Sequence, residues 1–315
     1  MNQANGSFSD DDIDLRELFS IAWRAKWLIL VSALIFALGG IGYALVKPDI
    51  YKASVLLAPT QDDSGSIANL SGQLGGLASI AGINLNSGNS SKTSIAKAVL
   101  ESHSFLEDFI YRYDLEPLIF SVKGWDKETD EWEYDYEIYN PKTEEWQYDS
   151  SGKSLKPSPW LLVKRLKEDH IEVTESKDTG LITVSVQHYS PETAAQWAES
   201  LVKGVNEHMR SKDVQQARAS IAYLEEKLEQ TNITGMQQVF YQLIEGETRT
   251  IMLANARNEY VFETIDSPVA PDEPYKPRRP LIVLLSTFFG LIVGFFIVFV
   301  KSFILSSRYE SDDKN

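Results

Sequence analysis

Two uncharged apolar runs, one near each end, constrain this chain more than anything between them. They are Trp27–Val46 (WLILVSALIFALGGIGYALV) and Leu281–Val300 (LIVLLSTFFGLIVGFFIVFV), twenty residues each. At ~1.5 Å rise per helical residue, either run covers the ~30 Å hydrocarbon core of a bilayer. An even number of spans puts both termini on one side and residues 47–280 on the other as a single exterior domain. The expected layout is a tail at 1–26, a first transmembrane helix at 27–46, a second at 281–300 and a tail at 301–315. A cleaved signal peptide fits the first run poorly. Asp10, Asp11, Asp12, Asp14 and Glu17 crowd the segment before it, and no small-x-small cleavage site comes after it. Arg16, Arg24 and Lys26 before the run, against Lys47 and Lys52 after it, favour an N-terminus inside the cell.

The chain has no cysteine, which excludes disulfides and thiolate metal sites. Its four histidines (His103, His170, His188, His208) share no ligand spacing and read as structural or surface residues. The net charge is −15, nearly all of it carried between the two runs. A surface this acidic disfavours nucleic acid, whose affinity rests on phosphate neutralisation. It also repels anionic membrane faces, except at the basic collar Lys276–Arg279, which reads as an interfacial anchor.

Between the runs, Tyr51–Ala58 reads as a strand. Leu70–Leu85 is apolar and glycine-dotted, which predicts short helical pieces and loops. Apolar spacing through Val99, Leu100, Phe105, Leu106 and Ile110 predicts helix over 95–115. Thr129-Asp130-Glu131-Trp132-Glu133-Tyr134-Asp135 recurs fourteen residues later as Thr143-Glu144-Glu145-Trp146-Gln147-Tyr148-Asp149. We read two consecutive turn units in which aromatics stabilise cross-strand pairing. A sugar-binding platform of aromatics beside carboxylates is the alternative. Ile171–Val173 and Leu181–Tyr189 predict a hairpin about Lys177-Asp178-Thr179-Gly180. Ser190-Pro191-Glu192 is a strong helix start, and about forty residues run on from it without a break, a rod of ~60 Å. Thr231-Asn232 interrupts it, a second helix spans about 235–255, and Tyr260–Ile265 reads as a returning strand. A long helix with one apolar stripe needs partners, which points to self-association through Ile221, Leu224 and Leu228.

No catalytic constellation is present. Gly152-Lys153-Ser154 imitates the end of a phosphate-binding loop, but position 147, where that loop needs glycine, is Gln. No G-x-S-x-G, H-E-x-x-H or calcium-loop pattern occurs. No cofactor is implied and no residue is assigned as catalytic or metal-binding.

Pro268, Pro271, Pro274, Pro277 and Pro280 recur every third residue directly before the second run, the period of a stiff polyproline strut. This segment resembles the proline-rich signature of the Wzz chain-length determinants, or polysaccharide co-polymerases. Ser220–Glu229, Val239–Glu245, Met252–Ile265 and Leu70–Leu85 resemble that family as well. The resemblance implies an α+β membrane protein: a periplasmic α/β base domain at 47–280 with a long extended helix at about 191–230, bracketed by two transmembrane helices in the bacterial inner membrane. It implies a homo-oligomer ring that works beside a Wzy-type polymerase and sets the length of lipopolysaccharide O-antigen or a related surface glycan, without enzymatic activity. With fifteen residues after the second run, the version expected is the one without the fused tyrosine kinase that some relatives carry. Gly290 and Gly294 form a GxxxG pair, and Gly39, Gly40 and Gly42 lie in the first run; such small residues let membrane helices approach, here each other or the polymerase. The partners expected are therefore a second copy of this chain, the polymerase, the lipid bilayer and the growing glycan. Two other readings stay open: an adaptor of an exopolysaccharide or capsule exporter working with a separate kinase or transporter, and a membrane-tethered carbohydrate enzyme, disfavoured by the empty catalytic search.

Overall fold

The structure, a computed structural model, describes residues 25–60 and 88–312 together with Trp23. The apolar stretch Leu70–Leu85 lies outside the described residues. The chain divides into two compact units, one of residues 1–49 and 275–315 and the other of residues 50–274.

The first unit is a pair of helices, α1 (Lys26–Val46) and α8 (Arg279–Asp312). Both are long and apolar enough to cross a membrane. Most of their large side chains are exposed, including Leu34, Leu38, Phe288 and Phe296. For a helix that is apolar all round, this is the pattern of a surface facing lipid rather than water. Helix α8 continues twelve residues beyond Val300, the expected end of the second span. Nothing in residues 301–312 breaks a helix, since neither Gly nor Pro occurs there.

The second unit is built on an antiparallel sheet of order β6-β7-β1-β8. Its strands are β1 (Tyr51–Pro59), β6 (Ile171–Glu175), β7 (Ile182–His188) and β8 (Phe262–Asp266). Tyr51 pairs with His188 and Leu57 with Ile182, which fixes the register of the two central strands. Period-2 alternation then sends Ala53, Val55, Leu57, Ile182, Val184 and Val186 into the core. On the other face Ser54 and Ser185 hydrogen-bond through their hydroxyls at 2.9 Å. The β6–β7 turn closes where expected, with Gly180 at φ 68°, a conformation that favours glycine.

Helix α6 (Pro191–Glu229) crosses the core face with 39 residues, a rod of about 58 Å. Ser190 caps it, its Oγ accepting from Thr193 N at 3.3 Å, with Pro191 in the first turn. Ala194, Trp197, Ala198, Leu201, Val205 and Met209 are buried at helical spacing, and beyond Met209 only Ala217 is. At the far end Thr231 Oγ1 donates back to Lys227 O at 2.9 Å. Helix α7 (Thr234–Ala256) then returns against α6.

Residues 95–115 form two helices rather than one, α2 (Gly88–Leu100) and α3 (His103–Arg112). Ser102 is the reason, because its extended backbone and its Oγ, accepting from Phe105 N, start a new helix. Short helices α4 (Glu116–Phe120) and α5 (Pro159–Arg165) complete the core, and α5 runs into a single π turn at Leu166–His170. Between α4 and α5 lie two small hairpins, β2–β3 (Val122–Asp126, Glu131–Tyr134) and β4–β5 (Tyr139–Asn140, Glu145–Trp146).

The five spaced prolines do not form one strut. Pro268, Pro271 and Pro274 come after β8 in neither helix nor strand, the first two half-buried and Pro274 exposed. Pro277 lies beyond Tyr275, where the second unit gives way to the first, and the Lys276–Pro277 bond is cis. Pro280 stands in the first turn of α8, where its missing N–H removes no helical hydrogen bond. The stretch holding Pro268, Pro271 and Pro274 itself bends at Asp272 and Glu273.

Candidate functional site

Three features can carry a function: the seam of the helix pair, the far half of the rod, and the aromatic hairpins. The seam is antiparallel. A side chain placed on Gly290 would lie 2.7 Å from Phe36 Cβ and 3.0 Å from Ala33 Cα, and one on Gly294 would lie 3.0 Å from Ile29 Cα. A side chain on Gly40 would meet Ser286. Gly39 and Gly42 have nothing within 4 Å. The close approach lets Ser32 Oγ donate to the carbonyl of Gly290 at 2.8 Å, and Phe36 meets Phe289 edge-on at 5.6 Å. At one end of the pair, Arg279 Nη2 donates to Asp49 Oδ1 at 2.9 Å.

The far half of the rod is a two-helix arm. Ile221, Leu224 and Leu228 are half-buried there. Helix α7 turns Phe240, Ile244 and Ala254 inward and leaves Met236, Val239 and Leu243 45 to 50% exposed on a second apolar stripe. At the near end Asn206, buried inside the rod, holds the segment that leads into β8. Its Oδ1 accepts from the backbone N–H groups of Tyr260 (3.2 Å), Val261 (2.8 Å) and Phe262 (3.0 Å), and its Nδ2 donates to Phe262 O at 3.0 Å. The returning strand therefore begins at Phe262, two residues later than expected. Tyr260 Oη donates to Asp213 Oδ2 at 2.7 Å; burial first, then that bond, push the Tyr260 hydroxyl up to about 12.

The hairpins repeat in three dimensions as they do in sequence. Asp126 Oδ1 accepts from Glu128 N at 2.8 Å, and fourteen residues on Asn140 Oδ1 accepts from Lys142 N at 3.0 Å. Asp130 and Glu144, also fourteen apart, both have positive φ (56° and 55°). Asp135 and Asp149 each accept from the N–H two residues later. Trp132 pairs with Trp125 across β2–β3, and Tyr139 with Trp146 across β4–β5, with ring centroids 5.1 Å apart in the second pair. Hydrogen bonds to the ionised form hold the Asp126, Asp135 and Asp149 carboxyls below their usual range: the Glu128 amide at Asp126, the Lys123 ammonium at Asp135, the Ser151 side chain at Asp149. Turn formation thus accounts for three of the carboxylates in this acidic stretch.

Sequence spacing missed a buried histidine pair. The rings of His170 and His188 lie 5.5 Å apart, with Trp197 4.8 Å and Trp132 5.1 Å from His188. Burial, and secondly the neighbouring His170, push His188 down to about 3. Burial also lowers His170, whose Nδ1 lies 2.8 Å from Gln187 O. The hairpin register alone would not have found it, since pairing Ile171 with Val186 sets position 170 opposite Gln187, and His170 lies in the π turn before β6. Among the described residues no group of three or more His, Asp and Glu lies together as a metal site would require.

An α+β chain with an apolar helix at each end and a long rod between them defines a class, and comparison with known proteins shows what it is similar to. Residues 11–112 match the Wzz family, described as chain length determinant protein. Residues 228–303 match GNVR, a G-rich domain described on tyrosine kinases. The chain is thus similar to the Wzz chain-length determinants, with the Wzz match towards one end and the GNVR match towards the other. A solved full-length bacterial polysaccharide co-polymerase aligns over 93% of this chain and 99% of its own, with TM-score 0.43 at 13% identity. A fragment of WzzB, a polysaccharide co-polymerase from Salmonella Typhimurium, aligns over 73% of this chain and 100% of its own, with TM-score 0.32 at 11% identity. No curated protein matches the chain in sequence.

Proposed function

We propose that this chain is a non-enzymatic regulator of polysaccharide chain length, of lipopolysaccharide O-antigen or a related surface glycan. In this reading it sits in the bacterial inner membrane with residues 47–280 in the periplasm, and acts as a homo-oligomer beside a Wzy-type polymerase. The observation that carries the reading is the Wzz match over residues 11–112, which takes in all of α1 and β1. The exposed stripe Met236, Val239 and Leu243 supports self-association, because adjacent apolar side chains on a water-facing helix are stabilised by a covering partner. The stretch holding Pro268, Pro271 and Pro274 then serves as spacer, and the glycine seam as membrane contact. Deleting the gene and displaying surface polysaccharide on a gel tests the reading. Polymer should persist with an altered length distribution, and an unchanged distribution would refute it.

The GNVR match favours a second reading, an adaptor of an exopolysaccharide or capsule exporter that works with a separately encoded kinase. In that case deletion abolishes export instead of changing length, so the same gel separates the two.

A further inference from the structure

We propose that the helix pair carries a binding site for one anionic phospholipid, an acyl chain lying in a groove between α1 and α8 with its phosphate on Arg279. The site rests on the two helices lying in a bilayer and on nothing else in the proposed function. The groove measures about 730 Å³, and its walls include Ile41 of α1 and Pro280, Val283, Leu284 and Leu291 of α8. Its one charged lining residue is Arg279. The groove is shallow and largely open, so it seats a chain against the helices without enclosing it. Thr287 also lines the groove, but its Oγ1 donates to Val283 O at 2.6 Å, which leaves its methyl to complete an apolar wall.

Helical geometry sets the charge at the head of this wall. Arg279, Val283, Thr287 and Leu291 are spaced by four and form one row on α8. Long helical side chains lean toward their helix N-terminus, so the guanidinium reaches past the apolar row toward the headgroup level. A guanidinium has five N–H donors in a fork that matches phosphate. Asp49 takes one of them, at 2.9 Å. The first turn of α8 has no acidic residue. Two more cations gather alongside, Arg278 and Lys276 at 5.9 and 5.5 Å from the Tyr275 ring. A chain of net charge −15 thus concentrates positive charge where an apolar groove opens. A free anion has no use for the groove, and a zwitterionic lipid gains less from the cations.

The test uses the full chain purified in mild detergent, incubated with equal amounts of phosphatidylglycerol and phosphatidylcholine and read by native mass spectrometry. Retained phosphatidylglycerol should exceed phosphatidylcholine about fivefold, the ratio given by ~1 kcal/mol for one basic residue at an anionic headgroup. Arg279→Gln should bring that ratio close to one. Asp49→Asn should raise it, because the guanidinium loses its competitor. Val283→Trp should reduce retention of both lipids by filling the groove. Circular dichroism and oligomer size serve as folding controls for each variant. No preference in the native chain, a preference unmoved by both Arg279→Gln and Asp49→Asn, or displacement of the lipid by excess inorganic phosphate would overturn the site. Recovery of the chain from the soluble fraction without detergent would instead remove the bilayer reading beneath it.

Discussion

Asn206 Oδ1 accepts the backbone N–H of Val261 at 2.8 Å, the shortest of four hydrogen bonds by which one buried amide joins the rod helix to the returning strand. Replacing it with Leu leaves three N–H groups and a carbonyl without this partner in the core. Each buried unsatisfied group costs about 1–3 kcal/mol, so Asn206→Leu should destabilise the domain by roughly 3 kcal/mol or more. A chemical unfolding midpoint unchanged from the native chain would show that the clamp is dispensable.

The histidine pair makes stability depend on pH. His188 is held at about 3 against an ordinary 6.5, so the unfolded chain takes up the proton first. The contribution is full above 6.5 and is lost as pH falls from there toward 3. His170 shifts in the same direction. Asp169 and Arg165 bear on His170 with opposite signs, and neither outweighs burial. Unfolding free energy should fall across this window with a slope approaching two protons. His188→Asn, which keeps an acceptor for Ser190 N, should remove about one proton from that slope.

The glycines of the helix pair should differ in tolerance. Gly290→Leu and Gly294→Leu each drive a side chain into the backbone of α1 and should part the helices. Gly39→Leu and Gly42→Leu meet open space and should leave the pair intact. Thermal stability in detergent reads the difference directly. If all four behave alike, the seam does not hold the pair together. Changed polysaccharide length with abundant Gly290→Leu, Gly294→Leu protein would tie the seam to function.

Surface and interior positions of the arm should separate assembly from folding. Leu243→Asp lies on the exposed stripe of α7 and should dissociate oligomers while helicity persists. Ile221→Asp and Leu224→Asp lie half-buried and should weaken the assembly and loosen the α6–α7 packing as well. An unpaired charge in either contact costs several kcal/mol once buried. Native mass spectrometry beside circular dichroism distinguishes these outcomes, and an oligomer untouched by Leu243→Asp would exclude that stripe as the contact.

Carboxylates of the hairpins should be silent in glycan length. Glu131→Gln and Glu145→Gln should leave the gel profile intact, whereas loss of a general acid or base typically costs ~10²–10⁴-fold in rate. Abolished activity in a well-folded oligomer would reopen an enzymatic reading.

Much of the frame was legible from local rules. Ser190-Pro191 marked the rod's start, Thr231-Asn232 its end, and Gly180 the β6–β7 turn, because caps, breaks and positive φ belong to one or two residues each. The fourteen-residue repeat announced its hairpins for the same reason. The proline period misled at its C-terminal end, since Pro280 suits a first helical turn as well as a strut. What stayed hidden depends on distant pairing. Asn206 sits between Val205 and Glu207 like any polar residue on a helix, and its partners lie 54 to 56 positions away. The histidines meet through the π turn that carries His170, which local spacing does not announce. Which glycines of α1 face α8 also needs the pairing, since successive helical residues turn by about 100° and Gly39, Gly40 and Gly42 point in different directions.

Tied at Asp213 to Tyr260 and Lys92 and packed further out on the returning helix α7, the rod has the shape of a lever whose base is Asn206. The distance from that residue to Glu229 is roughly 35 Å at the rise of an α-helix. A turn of a few degrees at that base therefore carries the tip sideways by a few ångströms, enough to bring two neighbouring side chains into contact or part them. Small changes of packing beneath Trp197 and His188 would be read out, amplified, at the far end of the arm.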